Sequence, residues 1–171
     1  QLLLTHDVFD FPTSKQHVLD TFDKLLSMHI VPIVNENDSV AVDELDHKTK
    51  FGDNDQLSAI VAMRTDADLL VMLSDTEGFY DANPMTHDDA KLISTIHTIT
   101  DDTYAVAGGK GSRYGTGGMI TKLRAAEMML NDNKEMVLAS GADPAIILDI
   151  LAGKPLGTWF TPERKGAVKN G

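Results

Sequence analysis

Residues 68–74 read Asp-Leu-Leu-Val-Met-Leu-Ser, an apolar run with no polar alternation. A strand of that pattern is buried on both faces, which calls for a parallel sheet covered by helices. Its flanks agree. Upstream, Asp53 or Asn54 suits a helix N-cap, and Leu57, Ile60, Val61 and Met63 follow at helical spacing. Downstream, Asp75-Thr76-Glu77-Gly78 turns the chain at the strand's carboxyl end, where open α/β sheets bind their ligands. Ser74 and Asp75 are therefore placed to contact one, although on position alone Asp75 reads better as a plain turn residue.

The same alternation runs through the chain. Residues 1–5 read as a short buried strand, 6–14 as a loop, 15–28 as a helix and 30–34 as a buried strand interrupted by Pro32. Residues 35–53 form a long polar segment with a hairpin expected around Val40 to Leu45 and Phe51. Residues 79–89 read as irregular, 92–99 as a strand, either in the main sheet or outside it, and 101–107 as one or two helical turns. A helix ending near Asn131, a strand at 136–139, a helix capped by Asp143 with Pro144 first, and a strand at 157–160 complete the pattern. Residues 162–171 read as a polar tail or linker start. Strands alternating with helices predict an α/β fold with a mostly parallel sheet.

One stretch carries chemistry. Gly115-Thr116-Gly117-Gly118 is followed at once by a helical period through Met119, Leu123, Ala126, Met129 and Leu130. A glycine-rich turn opening a helix directs unpaired N–H groups and the positive end of the macrodipole at one point, which suits an anion. Lys122 adds a cation, and the hydroxyls of Thr116 and Thr121 add donors. The order of residues is not that of a P-loop, and Gly109, Gly111 and Gly115 are one residue too widely spaced for the dinucleotide fingerprint. Taken alone, phosphate binding and an ordinary surface loop are equally good readings.

Composition narrows the field. The formal net charge is -11, which argues against a nucleic-acid or anionic-membrane partner. There is no cysteine, so disulfides, thiolate metal sites and a cysteine nucleophile are excluded, and a cytoplasmic location is expected. The histidines form no metal-ligand pair at helical spacing, so no protein-held metal is expected from them. No apolar run approaches membrane-spanning length.

Four separated motifs stand in order: Pro32 to Ala41 (PIVNENDSVA), Phe51 to Ala59 (FGDNDQLSA), Ser74 to Tyr80 (SDTEGFY), and Gly115 to Lys122 (GTGGMITK). Together they resemble the amino acid kinase family, and the NEND and GDND pair is similar to the members that act on glutamate. The resemblance spans nearly the whole chain, to about Phe160. It implies a three-layer αβα sandwich and transfer of the γ-phosphoryl of ATP, with Mg2+, to the side-chain carboxylate of glutamate, with proline as feedback inhibitor and a homo-oligomeric assembly.

Residue by residue, the resemblance implies that Asp38 and Asn54, with Asp53 beside them, bind substrate. It implies that Asp55 orients catalytic lysines and that Lys122 steadies the transferring phosphoryl group. Ser74, Asp75 and the segment Thr116, Gly117, Gly118, Met119, Ile120, Thr121 and Lys122 match the nucleotide site. The family's first strand and glycine-rich turn have no counterpart after Gln1, so residues 1–161 are expected to be the carboxyl-terminal two-thirds of the kinase domain. Two alternatives stay open: another amino acid kinase with a different acceptor, and an inactive nucleotide-binding fragment.

Overall fold

The computed structural model describes residues 1–9, 11–37, 54–108 and 118–163. The chain divides into two compact units, Gln1–Ala67 and Asp68–Gly171.

In the first unit, β1 (Leu2–Leu4) pairs in parallel with β2 (Val34–Glu36), with Leu2 opposite Val34 and Leu4 opposite Glu36. Between them lie a 3-10 turn (His6–Phe9) and α1 (Pro12–Ser27). After β2 comes α2 (Asn54–Arg64). Two expectations fail here. The predicted loop at 6–14 is instead the 3-10 turn and the start of α1, because Pro12 opens the helix, where its fixed φ and missing N–H cost nothing. The predicted buried strand at 30–34 lies further along, at Val34–Glu36. Val31 and Ile33 are 80% and 66% exposed. Pro32 cannot donate to a ladder, so pairing starts only beyond it.

The second unit holds β3 (Leu69–Ser74), β4 (Thr95–Ile96), α3 (Asp101–Gly108), α4 (Gly118–Asn131), β5 (Glu135–Ser140), α5 (Ile146–Leu151) and β6 (Thr158–Phe160). Its sheet runs β3-β5-β6-β4. β3 pairs with β5 in parallel, from Leu69 opposite Glu135 to Ser74 opposite Ser140. β5 and β6 are antiparallel, and β6 and β4 parallel. The sheet is thus mixed, and three of the four pairings among the described strands are parallel.

The strand expected at 92–99 shrinks to Thr95–Ile96 and belongs to the main sheet, at its edge, rather than outside it. Trp159 N–H donates to the Ser94 carbonyl at 2.9 Å, and this pairing with β6 draws β4 in. α5 starts two residues later than Pro144. Asp143 still organises its entry: Oδ1 accepts from the Ala145 N–H at 2.9 Å, in a turn that precedes the helix.

β5 is the centre of the core. Val137 and Ala139 pack with Ile150 against Leu69, Val71, Leu73, Ile146, Leu156 and Trp159. The period of two sends the fully buried Met136 and Leu138 to the other face, and α4 packs against the same strand. Leu123, Ala126 and Met129 of α4 are fully buried, as their spacing predicts. No helix among the described residues is long and apolar enough to cross a membrane.

Candidate functional site

The parallel pairing of β3 with β5 brings two carboxyl ends level, with Ser74 opposite Ser140. The ladder continues one step further, since the Gly141 N–H donates to the Ser74 carbonyl at 2.7 Å. Ser74 Oγ donates to Asp75 Oδ1 at 3.0 Å, and Asp75 is exposed. This is the end of the sheet at which an α/β fold receives ligands.

A cleft of about 180 Å³ opens beside it. One wall is the segment after β3: Thr76, Phe79, Tyr80, Ala82, Asn83 and Pro84. The other is Val106 and Ala107 at the end of α3 with Met119 in the first turn of α4. Thr76 follows Ser74 by two residues, so the end of β3 and the start of α4 face one another across this cleft. The Tyr80 hydroxyl donates to Glu77 Oε2 at 3.0 Å. That bond, then loss of solvent, then the Glu77 charge raise the phenol above its ordinary value.

The helix start is more differentiated than its sequence suggests. Met119 lines the cleft instead of the core. Ile120 is 2% exposed, so only its backbone can meet a ligand. Thr121 is buried and its hydroxyl donates to the Gly118 carbonyl at 2.8 Å, so it acts first within the helix. A Cβ built on Gly118 meets no described atom within 4 Å. Lys122 is half-buried one turn in.

In the other unit, Asn54 and Asp55 are the first two residues of α2. Asn54 is exposed, Asp55 is half-buried, and the Asp55 carbonyl accepts from Ser58 Oγ at 2.7 Å. An acidic residue in a first turn also complements the helix dipole. Asp38, Asp53, Thr116 and Gly117 lie outside the described residues, as does the hairpin expected at Val40 to Leu45 and Phe51.

Sequence reasoning missed the cleft wall. Residues 79–84 read only as irregular chain with an Asn83-Pro84 turn. The available signal was the aromatic pair Phe79-Tyr80 placed directly after the turn that ends β3.

A sheet flanked by helices, with a glycine-initiated helix beside its strand ends, puts the chain in the α/β class, and comparison narrows that class to one family. The amino acid kinase family matches over residues 1–140. The chain belongs to the amino acid kinase family. It is 62% identical over 160 residues to a glutamate 5-kinase of Lactiplantibacillus plantarum, covering 94% of this chain and 60% of that protein. It is 58% identical to one from Enterococcus faecalis, over 94% of this chain and 59% of that protein. For one from Listeria monocytogenes the identity is 55%, over 96% and 60% respectively. The chain thus spans about 60% of the length of the curated relatives it matches.

Among solved structures, an isopentenyl phosphate kinase aligns with a TM-score of 0.57 at 22% identity, covering 84% of this chain and 51% of that one. A carbamate kinase from Giardia lamblia bound to AMP-PNP gives 0.59 at 19% identity, covering 85% and 49%. These likenesses establish the amino acid kinase-like α/β fold.

Proposed function

We propose that the protein to which this chain belongs is a glutamate 5-kinase, transferring the γ-phosphoryl of ATP to the side-chain carboxylate of glutamate to give glutamyl 5-phosphate, the first step of proline biosynthesis. The observation that carries this reading is identity of 55–62% to glutamate 5-kinases across at least 94% of the chain. The geometry of the second unit supports its nucleotide half. A cleft of about 180 Å³ is smaller than the roughly 300–1,000 Å³ of whole small-molecule pockets. It has room for the base of ATP, and leaves the phosphates to the start of α4.

The chemistry asks little covalent work of the protein. The attacking carboxylate is already ionised, so no general base is needed; charge must be neutralised and the groups held in line. In this reading Lys122 follows the charge that moves onto the bridging oxygen. Asp55 orients the catalytic lysines. Asp38, Asp53 and Asn54 offer acceptors to the ammonium of glutamate. Ser74, Asp75 and the segment Thr116 to Lys122 hold the nucleotide. Among the described residues no group of three or more His, Cys, Asp or Glu comes together. The donors at the start of α4 suit phosphate, and Mg2+ bound together with ATP would supply further charge neutralisation there. Inhibition by proline, homo-oligomer assembly and a cytoplasmic location belong to the same proposal and rest on the family resemblance.

The test is glutamate-dependent release of ADP from ATP and Mg2+, on this chain and on a version extended at its amino end. Activity in the extended form supports the kinase. Nucleotide binding without glutamate-dependent turnover in either form replaces this reading with an inactive nucleotide-binding fragment or a different acceptor.

A further inference from the structure

Thr158 opens β6 with none of its surface exposed. A threonine hydroxyl can donate one hydrogen bond and accept others. This one does both: Oγ1 donates to the Ile93 carbonyl at 2.6 Å and accepts from the Phe79 N–H at 2.8 Å. Phe79 and Ile93 are the two ends of a single excursion of the chain. The excursion is closed on itself: the Ile93 N–H donates to the Phe79 carbonyl at 2.8 Å, the Asp81 N–H to the Lys91 carbonyl at 3.0 Å, and Tyr80 bridges to Leu92. It carries Tyr80, Ala82, Asn83 and Pro84, the wall of the cleft that faces Met119. Gly78 makes the contact possible, because a Cβ there would lie 2.6 Å from Thr158 Oγ1.

We propose that Thr158 is a positioning residue for the nucleotide: its hydroxyl clamps both ends of the loop at residues 79–93 and so sets the wall against which the base lies. The role rests on the reading of the cleft as a nucleotide site. β6 does not need the hydroxyl to stay in the sheet, since it pairs with β5 on one side and β4 on the other. Removing the hydroxyl therefore loosens the loop before it loosens the sheet. The Phe79 N–H and Ile93 carbonyl would each be left without their side-chain partner.

The experiment compares Thr158→Val and Thr158→Ser in the full-length enzyme, measuring KM for ATP, KM for glutamate and kcat, with equilibrium binding of a fluorescent ATP analogue. Valine is expected to raise the KM for ATP about tenfold, the scale of one or two buried hydrogen bonds. The KM for glutamate and kcat at saturating ATP should hold, and serine should restore ATP affinity. Should the valine variant fail to fold, Thr158→Ala removes the same hydroxyl without adding a methyl against Phe79 and Ile93 and should give the same ATP-selective loss. An unchanged KM for ATP, or an equal loss toward both substrates, overturns the role. Wild-type protein that binds no ATP overturns the reading of the cleft itself, and the role with it.

Discussion

The phenol of Tyr104 in α3 donates to Glu127 Oε2 in α4 at 2.8 Å. Tyr104 is buried and Glu127 half-buried, so this bond to a carboxylate is partly shielded from water. It ties together α3 and α4, the helices that carry Val106, Ala107 and Met119 to the cleft. Tyr104→Phe keeps the ring and removes the donor. It should cost about 1.5–3 kcal/mol, the range for a hydrogen bond to a charged group. Urea unfolding followed by the fluorescence of Trp159, the chain's one tryptophan, checks this. A midpoint that does not move would show the bond to be dispensable.

Helices α1, α2, α4 and α5 end alike, with a residue in the left-handed region: His29 at φ 58°, Asp66 at 55°, Asn133 at 57° and Gly153 at 80°. After α5, the Gly153 N–H donates to the Ile150 carbonyl and the Lys154 N–H to the Asp149 carbonyl, the paired bonds of a Schellman ending. His29 and Ile30 repeat the pattern onto Leu26 and Leu25. Only at α5 does the residue lack a Cβ to strain. His29→Gly should therefore stabilise the first unit by up to about 1 kcal/mol, after allowing for the extra freedom glycine gives the unfolded chain. Gly153→Ala should destabilise by about 1–2 kcal/mol. Thermal melts of the two variants should move in opposite directions.

Alkaline pH acts on Tyr80. Its phenol is raised above the ordinary 10.0 by the hydrogen bond to Glu77, then by lost solvent and by the Glu77 charge. The folded state therefore holds this proton more tightly than the unfolded chain does. The resulting stability is complete below pH 10.0 and is lost as pH rises through the higher folded value. Tyr80→Phe should flatten that part of the decline in stability. Tyrosinate absorbance of the native protein should include a late-titrating contribution from Tyr80 that the variant lacks.

What the sequence discloses depends on how local the cause is. β3 and β5 are legible because each six-residue strand is built on an unbroken apolar run, Leu69 to Leu73 and Met136 to Ala139, between turn signals. α4 is legible because Leu123, Ala126 and Met129 recur at helical spacing and are buried together. The segment at 30–34 misleads because β-branched residues argue for a strand while Pro32 delays the pairing. Met119 continues the apolar period of α4, and periodicity cannot distinguish a side chain facing the core from one facing a cleft. The cleft wall is hardest to foresee. Its loop is held by Thr158, 79 residues from Phe79 and 65 from Ile93. A tie that long leaves no mark on the residues between.

Lys122 and Asp38 separate the two halves of the proposed reaction. A lysine at the start of α4 gains most when the charge is moving, since its attraction to the phosphoryl oxygens is greatest in the transition state. Lys122→Ala in the full-length enzyme should lower kcat by about 10²–10³, the usual cost of one lost charge-stabilising donor, and change the KM for glutamate little. Asp38→Ala removes an acceptor for the ammonium of the substrate, so it should raise the KM for glutamate and leave ATP binding intact. Steady-state kinetics with each substrate varied in turn reads both. An unchanged kcat in the first variant removes Lys122 from phosphoryl transfer. A selective loss of ATP affinity in the second moves Asp38 from the acceptor side to the nucleotide side, and leaves Asp53 and Asn54 to hold the amino acid.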